Sequence, residues 1–281
     1  IRAMKSPCLA LLVAAACSAD PPPPREIVPA KTRDEAASAP AAPTASVVAP
    51  VVTPTPVAVP VAPKETRIDF TADADGQPAT SFESVVGDWY VGEAEGAKGL
   101  WVDGSRWRQG TPSASLADQA RRLYGDRYAE FLDNVKAFAF FPLAVYTGAE
   151  VTGDVRLSVR FFGQAGRIDQ AAGIAWSIAP DGSYWGVRAN PLEDNLLFFR
   201  FARGKRTILE TVRKVPTPSK QWHDLVVTLQ GGECRVELDG KLYLTRKLDE
   251  PVAGRVGLWS KADSRVLFDD FVITQLTPAQ G

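Results

Sequence analysis

The chain has 281 residues, 45% hydrophobic and 23% charged, with a formal net charge of -1. That balance suits a globular protein and offers no basic excess for a phosphate backbone, so nucleic acid is not an expected partner. Of the three cysteines only Cys234 falls in the part of globular texture, and the chain has a single histidine; an internal disulfide framework there and a Cys/His zinc cluster are both excluded. In chain order, Met4 reads as the start, Lys5 gives a minimal positive region, and residues 9–16 form a short apolar run. Roughly ten apolar residues are too few to span a bilayer as a helix, so residues 1–17 are expected to be a signal peptide.

This segment ends Val13-Ala14-Ala15-Ala16-Cys17, followed by Ser18. Small residues before a cysteine resemble a bacterial lipobox, in which the cysteine is lipidated and becomes the new N-terminus. The competing reading is ordinary cleavage at an Ala-x-Ala site with Cys17 incidental. The lipobox reading implies an exported chain held in the cell envelope through Cys17, with Ser18 resembling the outer-membrane-destined type. Residues 18–65 hold prolines 21–24 in a row and then Pro/Ala/Val/Thr repeats. Proline removes a backbone donor and fixes φ, so an extended, disordered tether with a reach on the order of 100 Å is expected.

From 66 to 276 the texture is that of one β-domain. Val155, Leu157, Val159 and Phe161 alternate with polar residues, the period of a half-buried strand. Further strands are predicted at 174–178, 184–189, 196–201, 207–212, 225–229, 255–260 and 266–274. Asp181-Gly182 and Asp239-Gly240 each separate two apolar runs, a hairpin signal. Cys234 alternates with Val236 and Leu238, which predicts a small buried hydrophobe. One stretch departs from the pattern: Leu116, Ala120, Leu123, Tyr124, Tyr128, Phe131, Leu132 and Val135 are at helical spacing, after a capping box of Ser115 and Asp118. A helical insertion over 113–136 is therefore expected, either covering strand edges or acting as a lid. Many short strands with regular turn signals predict an all-β sandwich or jelly roll.

The order of motifs resembles the concanavalin A-like jelly-roll domains of bacterial exported proteins grouped as 3-keto-disaccharide hydrolase-like and family-16-glycosidase-like. The residues that carry it include Gly166, Asp169, Gln170 and Gly173; the run Tyr184, Trp185, Arg188, Asn190, Glu193, Asp194, Asn195; then Trp222-His223, Trp259 with Lys261 and Asp263, and Phe268-Asp269-Asp270-Phe271. The resemblance implies carbohydrate as the ligand class, with no reaction established. It also implies that a structural calcium ion could bridge the first and last strands through Asp69, Asp269 and Asp270; no cofactor is otherwise required.

Strand alternation places Tyr184, Arg188 and Asn190 on one face, opposite Trp185, Val187 and Ala189. A polar row with an aromatic ring suits a sugar, which is held by hydrogen bonds to hydroxyls and by a ring against its C–H face. Gln170, Asp194 and Asn195 are expected to join this ligand-binding set. A bland alternative is a salt-bridged sheet surface with turn-forming Asp and Asn. Glycosidic hydrolysis would need two carboxylates; the family-16 Glu-x-Asp-x-(x)-Glu pattern is absent, which leaves Glu193 and Asp169 as the catalytic pair if the protein is an enzyme. His223 reads as a structural strand-start residue. Three functions stay open: a glycan-binding lipoprotein, a glycoside or 3-keto-glycoside hydrolase, or a structural interaction module.

Overall fold

The computed structural model describes residues 64–107 and 141–277. The signal peptide, nearly all of the tether and the expected 113–136 helix fall outside them. Among the described residues every regular element is a strand, and no helix is long and apolar enough to cross a membrane. The first half runs β1 (Lys64–Ile68), β2 (Phe82–Val86), β3 (Trp89–Ala94), β4 (Ala97–Asp103), β5 (Leu143–Tyr146), β6 (Val151–Thr152), β7 (Val155–Ala165) and β8 (Ala172–Ile178). The second half runs β9 (Tyr184–Asn190), β10 (Asn195–Ala202), β11 (Lys205–Arg213), β12 (Trp222–Gln230), β13 (Glu233–Leu238), β14 (Lys241–Lys247), β15 (Ala253–Trp259) and β16 (Arg265–Gln275).

Two antiparallel sheets form a jelly-roll sandwich. The back sheet has the order β14-β13-β12-β7-β16-β4-β3, with β1 also paired to β16; the front sheet has the order β11-β10-β9-β8-β15-β5-β2, with β6 added to β15. Local chemistry sets the hairpins. Asp239 and Gly240 have φ of 50° and 75°, the two left-handed residues that a tight turn between twisted strands needs. At the β8–β9 turn, Asp181 accepts hydrogen bonds from Ser183 N–H and Oγ–H at 2.9 and 2.6 Å.

The core is made by one face of each sheet. Val155, Leu157, Val159 and Phe161 of β7 meet Ile174 and Trp176 of β8, Val187 of β9 and Phe198 of β10. Cys234, Val236 and Leu238 of β13 join the same core, and Cys234 is fully buried with burial pushing its thiol far up. Strict alternation along β16 would turn Phe271 away from the core if Phe268 faced it. Both are buried because the register shifts between Asp269 and Val272, with Asp270 at φ 50°. The bulge absorbs one residue and returns the second phenylalanine to the core.

Candidate functional site

The other face of the front sheet carries the chemistry. In β9, Trp185, Val187 and Ala189 enter the main core, while Tyr184 belongs to a second apolar cluster with Phe141, Phe199, Phe201 and Trp259. Small residues let these rings lie on the sheet: a Cβ at Gly186 would meet the Phe199 ring at 2.6 Å. Tyr184 was expected as an open platform for a sugar. Instead its ring stacks on Phe201 at 5.0 Å, its oxygen accepts from Trp259 Nε1–H at 2.9 Å, and it is 1% exposed.

Two positions beyond Gly186 the face becomes polar. Arg188 is 2% exposed and donates from Nη1 to Asn195 Oδ1 at 2.7 Å and from Nη2 to Glu193 Oε2 at 2.6 Å. Asn195 Nδ2–H donates to the same Glu193 oxygen at 3.0 Å. Asn190 and Asp169 are fully buried; Asn190 Nδ2–H donates to Asp169 Oδ1 at 2.6 Å, and Lys261 pairs with Asp169 Oδ2. Gln170 donates from its backbone N–H to Asn190 Oδ1 at 3.2 Å, and its side-chain oxygen accepts from Ser219 at 2.6 Å. The loop before β8, the β9–β10 turn and the end of β15 thus meet at one end of the sheet.

A framework fixes these loops. Asp263 accepts the backbone N–H groups of Arg167, Ile168 and Asp169 at 2.8–3.0 Å. Ser264 Oγ accepts Ala171 N–H at 3.0 Å, and Ser260 Oγ–H donates to Ala171 O at 2.8 Å. A Cβ at Gly173 would meet Val187 O at 2.4 Å, Arg188 Cβ at 3.1 Å and the Trp259 ring at 3.3 Å, so glycine is what the close packing over β8 accommodates there.

The two carboxylates have opposite electrostatics. Burial pushes Asp169 up, with Lys261 opposing it. Glu193 feels burial in the same sense, but the Arg188 hydrogen bond and charge outweigh it and hold the carboxyl below the usual range. Glu193 and Asp194 line a surface hollow of about 710 Å³ with Arg213, Lys214 and Pro216.

Other expectations resolve differently. Asp194 is a turn residue at φ 45°, and its backbone carbonyl accepts Val215 N–H at 2.9 Å. His223 is the structural strand-start residue that was expected: it is 4% exposed, between Asp239 at 2.8 Å and Pro218 O at 2.9 Å. The proposed calcium ligands do not form a cage. Asp69 follows β1 rather than lying in it and accepts from Thr71 N–H and Oγ1–H; Asp269 faces Arg160, and Asp270 pairs with Arg67. No cluster of three metal-ligating side chains exists among the described residues. The residues as placed do not fit a carboxylate-bound ion, and the Asp269-Asp270 pair has the bulge as its evident role. Lys261 was missed as a site residue. Lys261 stands within the Trp259–Asp263 block that the sequence singles out, but nothing local names Asp169 as its partner.

No family model and no curated protein matches the chain. Among solved structures, the carbohydrate binding module CBM66 of Bacillus subtilis aligns at 14% identity and TM-score 0.49, covering 70% of this chain and 96% of that one. The Bacillus licheniformis beta-glucanase aligns at 10% identity and TM-score 0.45, covering 76% and 98%. A Bacillus subtilis protein with a galectin-like fold aligns at 11% identity and TM-score 0.41, covering 49% and 79%. These are similarities of fold.

Proposed function

We propose that the β-sandwich binds a glycan and that the chain presents it in the cell envelope through a lipid on Cys17. One observation carries the binding reading. Arg188, Glu193 and Asn195 form one hydrogen-bonded group and Asn190, Asp169 and Lys261 another, joined through the backbone bond from Glu193 N–H to Asn190 O at the end of an aromatic-rich face, and Glu193 opens onto a hollow. Fixed donors and acceptors beside apolar rings suit a ligand with hydroxyls on its edge and C–H groups on its faces. The anchor and the export route rest on the cysteine after small residues at 13–16. The test is a glycan array probed with the whole chain. Retention of at least one glycan is expected, weakened by Asn195→Ala, which removes a ligand of both Arg188 and Glu193. Retention of none overturns the reading.

A second reading, hydrolysis of a glycosidic bond, is favoured by two carboxyls at one end of the sheet whose settings differ, Asp169 buried against Lys261 and pushed up, Glu193 beside Arg188 and held down, the split by which two carboxyls divide acid and base roles. Turnover lost in Glu193→Gln while binding persists would establish it. Binding without turnover leaves the first reading alone.

A further inference from the structure

The cations of this face outnumber their acid partners. Arg188 has Glu193 and Lys261 has Asp169. Arg206, on β11, has no carboxylate partner among the described residues. Its guanidinium carbon lies over the rings of Phe141 at 4.7 Å, Phe199 at 5.6 Å and Trp259 at 5.7 Å, which holds it against the same aromatic cluster as Tyr184. Burial and then the positive charge of Arg188 disfavour its protonated form, and the more weakly felt Tyr184, Asp169 and Glu193 only partly offset them, so the two guanidiniums lie close enough to repel. Each also has an orphaned atom: Arg206 Nη1 and Arg188 Nε are buried and have no hydrogen-bond partner among the described residues.

A buried donor without an acceptor costs free energy, and a cation without a counter-charge costs more. The rings over Arg206 compensate part of the charge through their negative faces but accept nothing from Nη1. A neutral sugar would offer acceptors and leave the excess charge in place. A carboxylate or sulfate ester supplies acceptors and charge together, and its planar or tripodal oxygens match the guanidinium fork. Resting on the glycan reading above, we propose that the ligand is an anionic glycan, its carboxylate or sulfate taken by Arg206 with Arg188.

The experiment uses the whole chain and matched sets on one array: a neutral oligosaccharide, its C6-carboxylate form and its 6-O-sulfate form, with the best set then titrated calorimetrically at low and high salt. The anionic form is expected to bind roughly tenfold tighter or more, the scale of a charge-assisted hydrogen bond, with the advantage shrinking as salt rises. Whether carboxylate or sulfate gains more identifies the group. Arg206→Met keeps the apolar stem and is expected to bring the anionic form down to the neutral one, while Arg206→Lys retains part of the preference. Equal affinities within every set, or a preference that Arg206→Met does not touch, overturns the anion proposal and leaves glycan binding standing. Retention of no glycan overturns both. If Arg206→Met does not fold, the wild-type preference and the Arg206→Lys variant decide.

Discussion

Asp169 is the residue whose surroundings are most constraining. It is fully buried, and Lys261 and Asn190 are the groups that permit its charge. Removing one member of a buried pair strands the other, which costs about 3–5 kcal/mol. Lys261→Met is therefore expected to lower stability by about that amount in urea unfolding at neutral pH. The sign with pH follows from the upward shift of Asp169. Ionising it inside the protein costs stability as pH rises above its unfolded value, so the damage in Lys261→Met shrinks as pH falls and Asp169 takes up a proton. Glu193 works the other way. Its lowered value means that its contribution is full above the unfolded glutamate range and is lost as pH falls through the folded value. Glu193→Gln should flatten the acid limb of the stability profile. A Lys261→Met variant equally destabilised at all pH values would show that Asp169 is not the stranded charge.

At the scale of strands, the Asp269-Asp270 bulge makes a separable prediction. Asp270 is at φ 50°, a conformation that Asp and Gly tolerate and β-branched residues resist. Asp270→Gly is expected to hold the melting temperature within a few degrees, while Asp270→Val lowers stability by about 1–2 kcal/mol. Comparable losses in both would assign the role to the Arg67 pair instead. The later strands were legible where they alternate: β7 and β13 each bury mainly one face, β9 alternates in chemistry between an apolar and a mixed polar face though both are buried, and Asp-Gly marks two hairpins. The early ones were not. β4 buries Leu100, Trp101 and Val102 in succession, because Trp101 packs with Phe162 and Leu267 on the far side of the back sheet while its neighbours enter the core. A strand buried on both faces loses its period. The same limit explains the site. Period two put Arg188 and Asn190 on one face, and that was right; but which acid meets Lys261, or that Tyr184 is stacked away, depends on the pairing of β8 with β15 and of β9 with β10, which no local pattern encodes.

At the scale of the whole chain, the sequence expects an address and a tether ahead of the sandwich. If Cys17 is the lipid attachment point, labelled palmitate should be incorporated into the wild type and absent from Cys17→Ser; unchanged labelling would remove the anchor and leave an exported domain. Asp263 and its three N–H donors span the loops before β8 and after β15, so the site is assembled by segments some ninety residues apart. The position of β16 is the extreme case. The last described strand lies in the middle of the back sheet, between β7 and β4, and also pairs with the first described strand. A nascent chain that has not yet released residue 275 therefore leaves β7, β4 and β1 without their common neighbour. Closure of the back sheet is therefore expected to wait for β16. A domain wired in this way is expected to form as a whole rather than strand by strand.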